Sequence, residues 1–377
     1  MSLQCGIVGL PNVGKSTLFN CLSNAKAQSA NFPFCTIEPN VGVITVPDER
    51  LIKLGELCKP ERGVIPTTVE IVDIAGLVKG ASKGEGLGNK FLANIRETDA
   101  IIHVLRCFDD ENVVHVDGSV NPVRDKEILD AELQLKDLET VESRIQKCEK
   151  AAKAGGDKQA KLQLEVLVKY REALSQGKNA RTVELENKEQ EAAARDLFLL
   201  TNKPVMYVCN VDEASAVTGN AYVDQVREAI KDEGLTVNGE RVEPQVLVLA
   251  AKIESEIAEL ETYEERQMFL EEIGLQESGV NRLIKAAYAL LNLRTFLTAG
   301  SDEVRAWTFK AGAKAPQCAG VIHTDFEKGF IRAEVIKYAD FIALGGEAQC
   351  RAAGKLSTEG KDYLVQDGDI MHFLFNV

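Results

Sequence analysis

The stretch G9-L-P-N-V-G14-K15-S16 decides how the chain is read. It follows the apolar run Leu3 to Val8 and leads into K15-S-T-L-F-N-C-L22, so a glycine-bearing turn joins a short strand to a helix. Glycines let backbone N–H groups turn inward around phosphate oxygens, and the helix start adds the positive end of its dipole. Lys15 is then placed to reach the β- and γ-phosphates of a nucleotide and the Ser16 hydroxyl to ligate Mg2+, with Asn12, Val13, Gly14 and Thr17 completing the cradle.

The chain on either side supplies what such a loop needs. Strands are expected at Val41 to Val46, Thr67 to Val72, Ala100 to Leu105, Pro204 to Cys209 and Gln245 to Ala250, alternating with helical stretches. That alternation predicts an α/β fold, a P-loop NTPase whose mostly parallel sheet carries helices on both faces. D73-I-A-G76 comes 57 residues after Ser16 at the end of a strand, where Asp73 can hold Mg2+ through water and the Gly76 N–H can touch the γ-phosphate. Between them lies N31-F-P-F-C-T36-I-E-P-N40, in which Thr36 is the candidate for a second Mg2+ ligand.

Composition narrows the classes. A chain of 377 residues is too long for one ordinary core. No long uninterrupted apolar run occurs, and the N-terminus lacks a basic stretch before an apolar one, so neither a membrane span nor a signal peptide is expected and a cytoplasmic location is. Nine cysteines without a C-x-x-C pair point to free thiols. The net charge of -14 argues against indiscriminate nucleic-acid binding and sequence-specific DNA recognition. Residues 281–377 carry 12 Lys+Arg and 11 Asp+Glu, so a near-neutral C-terminal module follows an acidic remainder.

From Asp125 to Leu200 the pattern is helical, with Ile128, Ala131, Leu135, Leu138, Ile145 and Cys148 near 3.5 spacing and Leu162, Val166, Tyr170 and Leu174 resuming it after A154-G-G-D157. Two long helices folded back at a Gly-Gly turn predict an antiparallel coiled-coil arm. Its tip holds Arg144, Lys147, Lys150, Lys153, Lys158 and Lys161, open to reading as an RNA contact or as a solvated end. The expected domains are 1–124 with 201–280, the inserted arm 125–200, and an α+β module 281–377 with strands at Val304 to Phe309, Phe330 to Ile336 and Ile370 to Phe375.

Strand Pro204 to Cys209 runs into Asn210, Val211, Asp212 and Glu213, where a guanine-binding site has N-K-x-D. A glutamate in place of the last aspartate moves the acceptor by about 1.5 Å and spoils a bidentate pair with guanine, while Val211 removes the lysine that packs over the base. Guanine selectivity is therefore not expected. Asn210 would position base or loop, with Ala251 and Lys252 in the far wall of the pocket.

With G-L-P-N-V-G-K-S-T, N-F-P-F-C-T-I-E-P-N, D-I-A-G-L-V-K-G-A-S-K-G-E-G-L-G-N, N-V-D-E and A-K-I-E-S-E, the chain resembles the Obg-like ATPases of the YchF group, relatives of the translation-factor GTPases, nearly end to end. The resemblance implies a C-terminal TGS-like β-grasp domain, a preference for ATP with GTP as a possible second substrate, and the ribosome as partner. Leu77 stands where many GTPases carry a water-orienting glutamine, so water activation must come from elsewhere. One candidate is K+ held with the help of Asn12, for which bracing the loop is an equal alternative. The other is His115 in E111-N-V-V-H-V-D-G118, a loop histidine that the resemblance implicates in hydrolysis. His103, inside a strand, reads as a core residue, and the five-glycine segment Gly76 to Gly88 reads as a lid over the γ-phosphate.

Overall fold

The computed structural model describes residues 3–28, 40–76, 87–155, 158–237 and 240–376. Thr36, Cys35, Leu77 and most of the glycine-rich lid lie outside the described residues. The described parts of 1–24, 38–42 and 71–280 make one compact unit, those of 25–37, 43–70 and 281–377 another.

From the N-terminus the chain runs β1 (Gln4–Val8), α1 (Lys15–Gln28), β2 (Val41–Thr45), α2 (Glu49–Cys58), β3 (Val64–Ile65), β4 (Thr68–Asp73), α3 (Leu87–Glu97) and β5 (Ala100–Cys107). The helical insertion follows as α4 (Pro122–Gly155), α5 (Lys158–Ser175) and α6 (Lys188–Arg195). Then come β6 (Val205–Val211), α7 (Ala221–Ile230), the hairpin β7 (Leu235–Val237) and β8 (Glu240–Val242), β9 (Gln245–Leu249), α8 (Ala251–Glu259), α9 (Tyr263–Glu272) and α10 (Gly279–Leu290).

The first sheet has the order β2-β4-β1-β5-β6-β9, and β1, β5, β6 and β9 are parallel neighbours. Every residue of β5 and β6 is buried, which explains why apolar residues predominate in them without alternation: a parallel strand covered on both faces has no solvent side to alternate with. Because these strands point the same way, their carboxyl ends share one edge, the edge at which open α/β sheets bind ligands.

The insertion departs from the expected stripe. Leu135 is 54% exposed and Ala131 is exposed, whereas Leu129, Leu133, Val141, Ile145 and Cys148 are buried on α4. The periodicity misleads because the root of α4 buries polar residues in a helical row with these apolar ones. Asp137 accepts hydrogen bonds from the backbone N–H of Leu200 at 2.8 Å and Thr201 at 2.7 Å and from the Thr201 hydroxyl at 2.7 Å. Gln134 donates to Asn179 Oδ1 at 2.8 Å. The farther part of the hairpin is apolar, with Val141, Ile145, Val166, Leu167 and Tyr170 in one cluster. The return helix ends at Ser175, and Gly177, at φ 71°, turns the chain in a conformation that suits glycine.

The second unit is built on β10 (Leu293–Ala299), β11 (Val304–Lys310), α11 (Ala315–Ile322), α12 (Thr324–Lys328), β12 (Phe330–Lys337), α13 (Tyr338–Leu344), α14 (Glu347–Ala352), β13 (Leu356–Glu359) and β14 (Asp369–Phe375). Its mixed sheet has the order β13-β12-β14-β10-β11-β3, and Phe296, Phe309, Cys318, Ala319, Phe330 and Phe373 join the sheet to α11 in one core. Residues 43–70, which the sequence pattern assigns to the nucleotide domain, contribute here: Leu51 and Leu54 of α2 pack with Leu297, Val304 and Ile370, and β3 extends the sheet beside β11.

Candidate functional site

At the carboxyl edge of the first sheet lies a cavity of about 790 Å3. Five of the six strands contribute to it: Asn12 and Gly14 after β1, Gly76 after β4, Phe108 and Asp110 after β5, Asn210 in β6 and Ala251 after β9. Lys15, Ser16 and Thr17, the first turn of α1, line it too, which places the unpaired N–H groups of a helix start and its positive dipole end there.

Close approach explains the two loop glycines. A Cβ on Gly9 would sit 2.8 Å from the Val104 carbonyl oxygen, and one on Gly14, at φ 91°, would sit 2.3 Å from Asn210 Nδ2. Asn210 is buried and spans two loops: its Nδ2 donates to the Val13 carbonyl at 2.9 Å, and its Oδ1 accepts from the Ala251 N–H at 2.9 Å. One amide thereby fixes the distance between the phosphate loop and the wall that follows β9.

The charged groups are already paired with one another. The Lys15 ammonium donates to Asp73 Oδ1, and both side chains are largely buried beside the exposed Ser16. Lys252 forms an ion pair with Glu213, and the nearby carboxylate raises the lysine's pKa. Val211 is buried within β6 and does not line the cavity. Glu254, in the same A-K-I-E-S-E stretch, faces away from base reading: its carboxylate accepts from the N–H groups of Gly279 at 2.7 Å and Val280 at 3.0 Å, capping the start of α10.

Asn12, at φ 64°, donates from Nδ2 to the Val114 carbonyl at 3.0 Å and so ties the phosphate loop to the loop after β5. In that loop His115 is buried, with Nε2 2.8 Å from Asp125 Oδ2 and Nδ1 accepting from the Asp117 N–H at 3.1 Å. His103 is fully enclosed in β5 against Tyr207; burial, aided by the positive charges of Lys126 and Arg181, lowers its pKa to about 3. The sequence reading passes over Phe108, Asp110, Val113 and Ser255, which also line the cavity. The usable signal for the first three was their position just beyond a buried parallel strand.

Comparison with known proteins agrees with this geometry. Residues 4–151 match a family model described as a 50S ribosome-binding GTPase, and residues 293–376 match a model of the YchF-type GTPase C-terminus, described as a protein of unknown function. The chain is 57% identical over 379 residues to the ribosome-binding ATPase YchF of Bacillus subtilis (strain 168), covering 100% of both chains. It is 47% identical over 380 residues to Obg-like ATPase 1 of Bos taurus, covering 100% of this chain and 93% of the relative. The solved structure of the Schizosaccharomyces pombe YchF GTPase is 38% identical, with a TM-score of 0.86 over 99% of this chain and 98% of that one. With its phosphate loop, its Asp73 and its altered N-V-D-E site on one sheet edge, the chain belongs to the YchF family of Obg-like ATPases.

Proposed function

We propose that the chain is a Mg2+-dependent, ATP-hydrolysing switch of the cytoplasm that acts on the ribosome, with GTP as a secondary substrate. The observation that carries this reading is the Lys15–Asp73 pair, whose lysine lines the cavity. A phosphate chain needs a cation and a divalent metal needs an anion, and here the two hold each other beside Ser16 until nucleotide arrives.

Ser16 and Asp73 offer the hard oxygen donors that Mg2+ prefers, with Thr36 as a further ligand. When bound, Mg2+ neutralises charge on the β- and γ-phosphate oxygens. On binding, Lys15 turns from Asp73 to the phosphate oxygens, while the N–H groups of Gly14 to Thr17 and of Gly76 enclose them. Asn210 keeps the Ala251–Lys252 wall at its distance, and the Glu213 carboxylate, engaged by Lys252, is not presented to guanine. His115 handles the attacking water, and K+ held near Asn12 adds a fixed positive charge. The relatives' names support the ribosome as partner, and the exposed Arg144, Lys147, Lys150, Lys158 and Lys161 make the far end of the arm the contact.

A GTP-preferring switch is the second reading, supported by the description of the matched GTPase family model. Calorimetric titration of nucleotide-free protein with non-hydrolysable ATP and GTP analogues, in Mg2+ and K+, separates the two. Tighter ATP binding is expected; tighter GTP binding establishes the second reading. Lys15→Ala should abolish turnover, and replacing K+ by Na+ should slow it.

A further inference from the structure

We propose that Asp125 is the positioning residue for His115, fixing the ring as its Nε2–H tautomer so that Nδ1 is the atom that accepts the proton of the attacking water. This rests on the proposed role of His115 in hydrolysis.

The tautomer follows from the donors. A backbone N–H can only donate, so the Asp117 N–H at 3.1 Å requires a lone pair on His115 Nδ1. The ring proton then sits on Nε2, aimed at Asp125 Oδ2 at 2.8 Å. The two bonds differ in kind. Asp125 is 1% exposed, stands in the first turn of the 34-residue α4, and its other oxygen accepts from Arg124 Nη2 at 3.2 Å. Its bond to the ring therefore joins the loop to a rigid element. The Nδ1 bond is a local contact two residues along the same loop, and a water molecule can replace it at little cost.

The loop itself is held against the nucleotide cavity. The Arg106 guanidinium gathers the carbonyls of Phe108, Val113 and Asp110 at 3.1, 2.8 and 3.2 Å, and Asn12 holds the Val114 carbonyl at 3.0 Å. Phe108, Asp110 and Val113 line the cavity, so His115 is two residues from its wall. Opening the Nδ1 contact alone frees the acceptor nitrogen while Asp125 keeps the ring proton on Nε2.

In the step this allows, the water oxygen forms a bond to the γ-phosphorus and the bond to the β–γ bridging oxygen breaks, its electron pair leaving with ADP. The water proton passes to Nδ1, the imidazolium is faced by the Asp125 carboxylate, and the proton is then released to phosphate or solvent. A metal ion is the competing occupant, since His115, Asp117 and Asp125 offer ligand atoms within 4.8 Å of one another. The Arg124 guanidinium already fills the cationic role, 3.2 Å from Asp125 Oδ1 and 3.9 Å from Asp117 Oδ2.

The test combines ATP turnover with long-range 15N–13C correlation of the histidine rings in the full-length protein, the His115 signals being identified by their loss in His115→Gln. Wild type should show Nε2–H for His115; an Nδ1–H ring overturns the proposal without recourse to any Asp125 variant. Asp125→Asn should scramble the tautomer and lower kcat on the order of 10²-fold with the KM for ATP nearly unchanged. Asp125→Glu, which keeps the carboxylate, should restore the tautomer and part of the rate. A scrambled tautomer with unchanged kcat, or an unchanged tautomer in Asp125→Asn, overturns the proposal. If His115→Gln itself turns over at the wild-type rate, it is the hydrolytic role of His115 that fails.

Discussion

The Glu213 carboxylate is paired with the Lys252 ammonium, so a residue after β6 meets one after β9. The Lys252 side chain is 73% exposed and that of Glu213 50%, so the pair adds little to stability. Its consequence is directional on the proposed reading of the base site: Lys252 competes with guanine's N1–H and 2-amino group for the Glu213 carboxylate.

Shortening that carboxylate should therefore change base preference rather than fold. Glu213→Asp withdraws the acceptor from Lys252 and returns the length used in guanine sites. Competition binding should show the ratio of ATP to GTP affinity move towards GTP on the order of tenfold, within the range of one bidentate base contact, with the melting temperature unchanged. An unaltered ratio would mean that Glu213 takes no part in base choice.

Asn210 should behave in the opposite way, as a structural cross-brace. Asn210→Ala leaves the Val13 carbonyl and the Ala251 N–H without their 2.9 Å partner in a buried place. The expected loss is about 2 kcal/mol, the cost of a buried unpaired group, read as a lower urea midpoint, together with weaker binding of both nucleotides alike. Selective loss of one nucleotide would point to base reading by Asn210 instead.

His103 gives the fold a pH dependence of known sign. Its folded pKa, near 3, lies below the ordinary value of 6.5, so the unfolded chain binds the extra proton. The stability this neutral ring confers is complete above about pH 6.5 and is lost as pH falls towards 3, at up to about 1.4 kcal/mol per pH unit. Urea unfolding of His103→Gln should show a shallower decline between pH 6.5 and 4 than the parent; parallel slopes would assign the decline to other groups.

Much of this molecule is legible in its letters because the decisive contacts are local. The phosphate loop is eight consecutive residues, and its chemistry follows from glycine conformational freedom and a helix start. The parallel sheet announces itself through β5 and β6, since strands buried on both faces are predominantly apolar and do not alternate with polar residues. The insertion is legible as helical but not in its buried face: Gln134 and Asp137 interrupt the apolar period, and their partners lie tens of residues away.

The sequence by itself determined the phosphate-loop motif, the replacement of the usual guanine-site aspartate by Glu213 and the central strands of the parallel sheet, because each depends on residue type and near neighbours. Only the tertiary structure decided that Lys15 is held by Asp73, that Asn210 bridges Val13 to Ala251, that α2 packs with the C-terminal sheet, and that Asp125 lies against Nε2 of His115. Each of these pairs side chains or elements whose directions are set by packing, and direction is what a linear pattern of residue types does not carry.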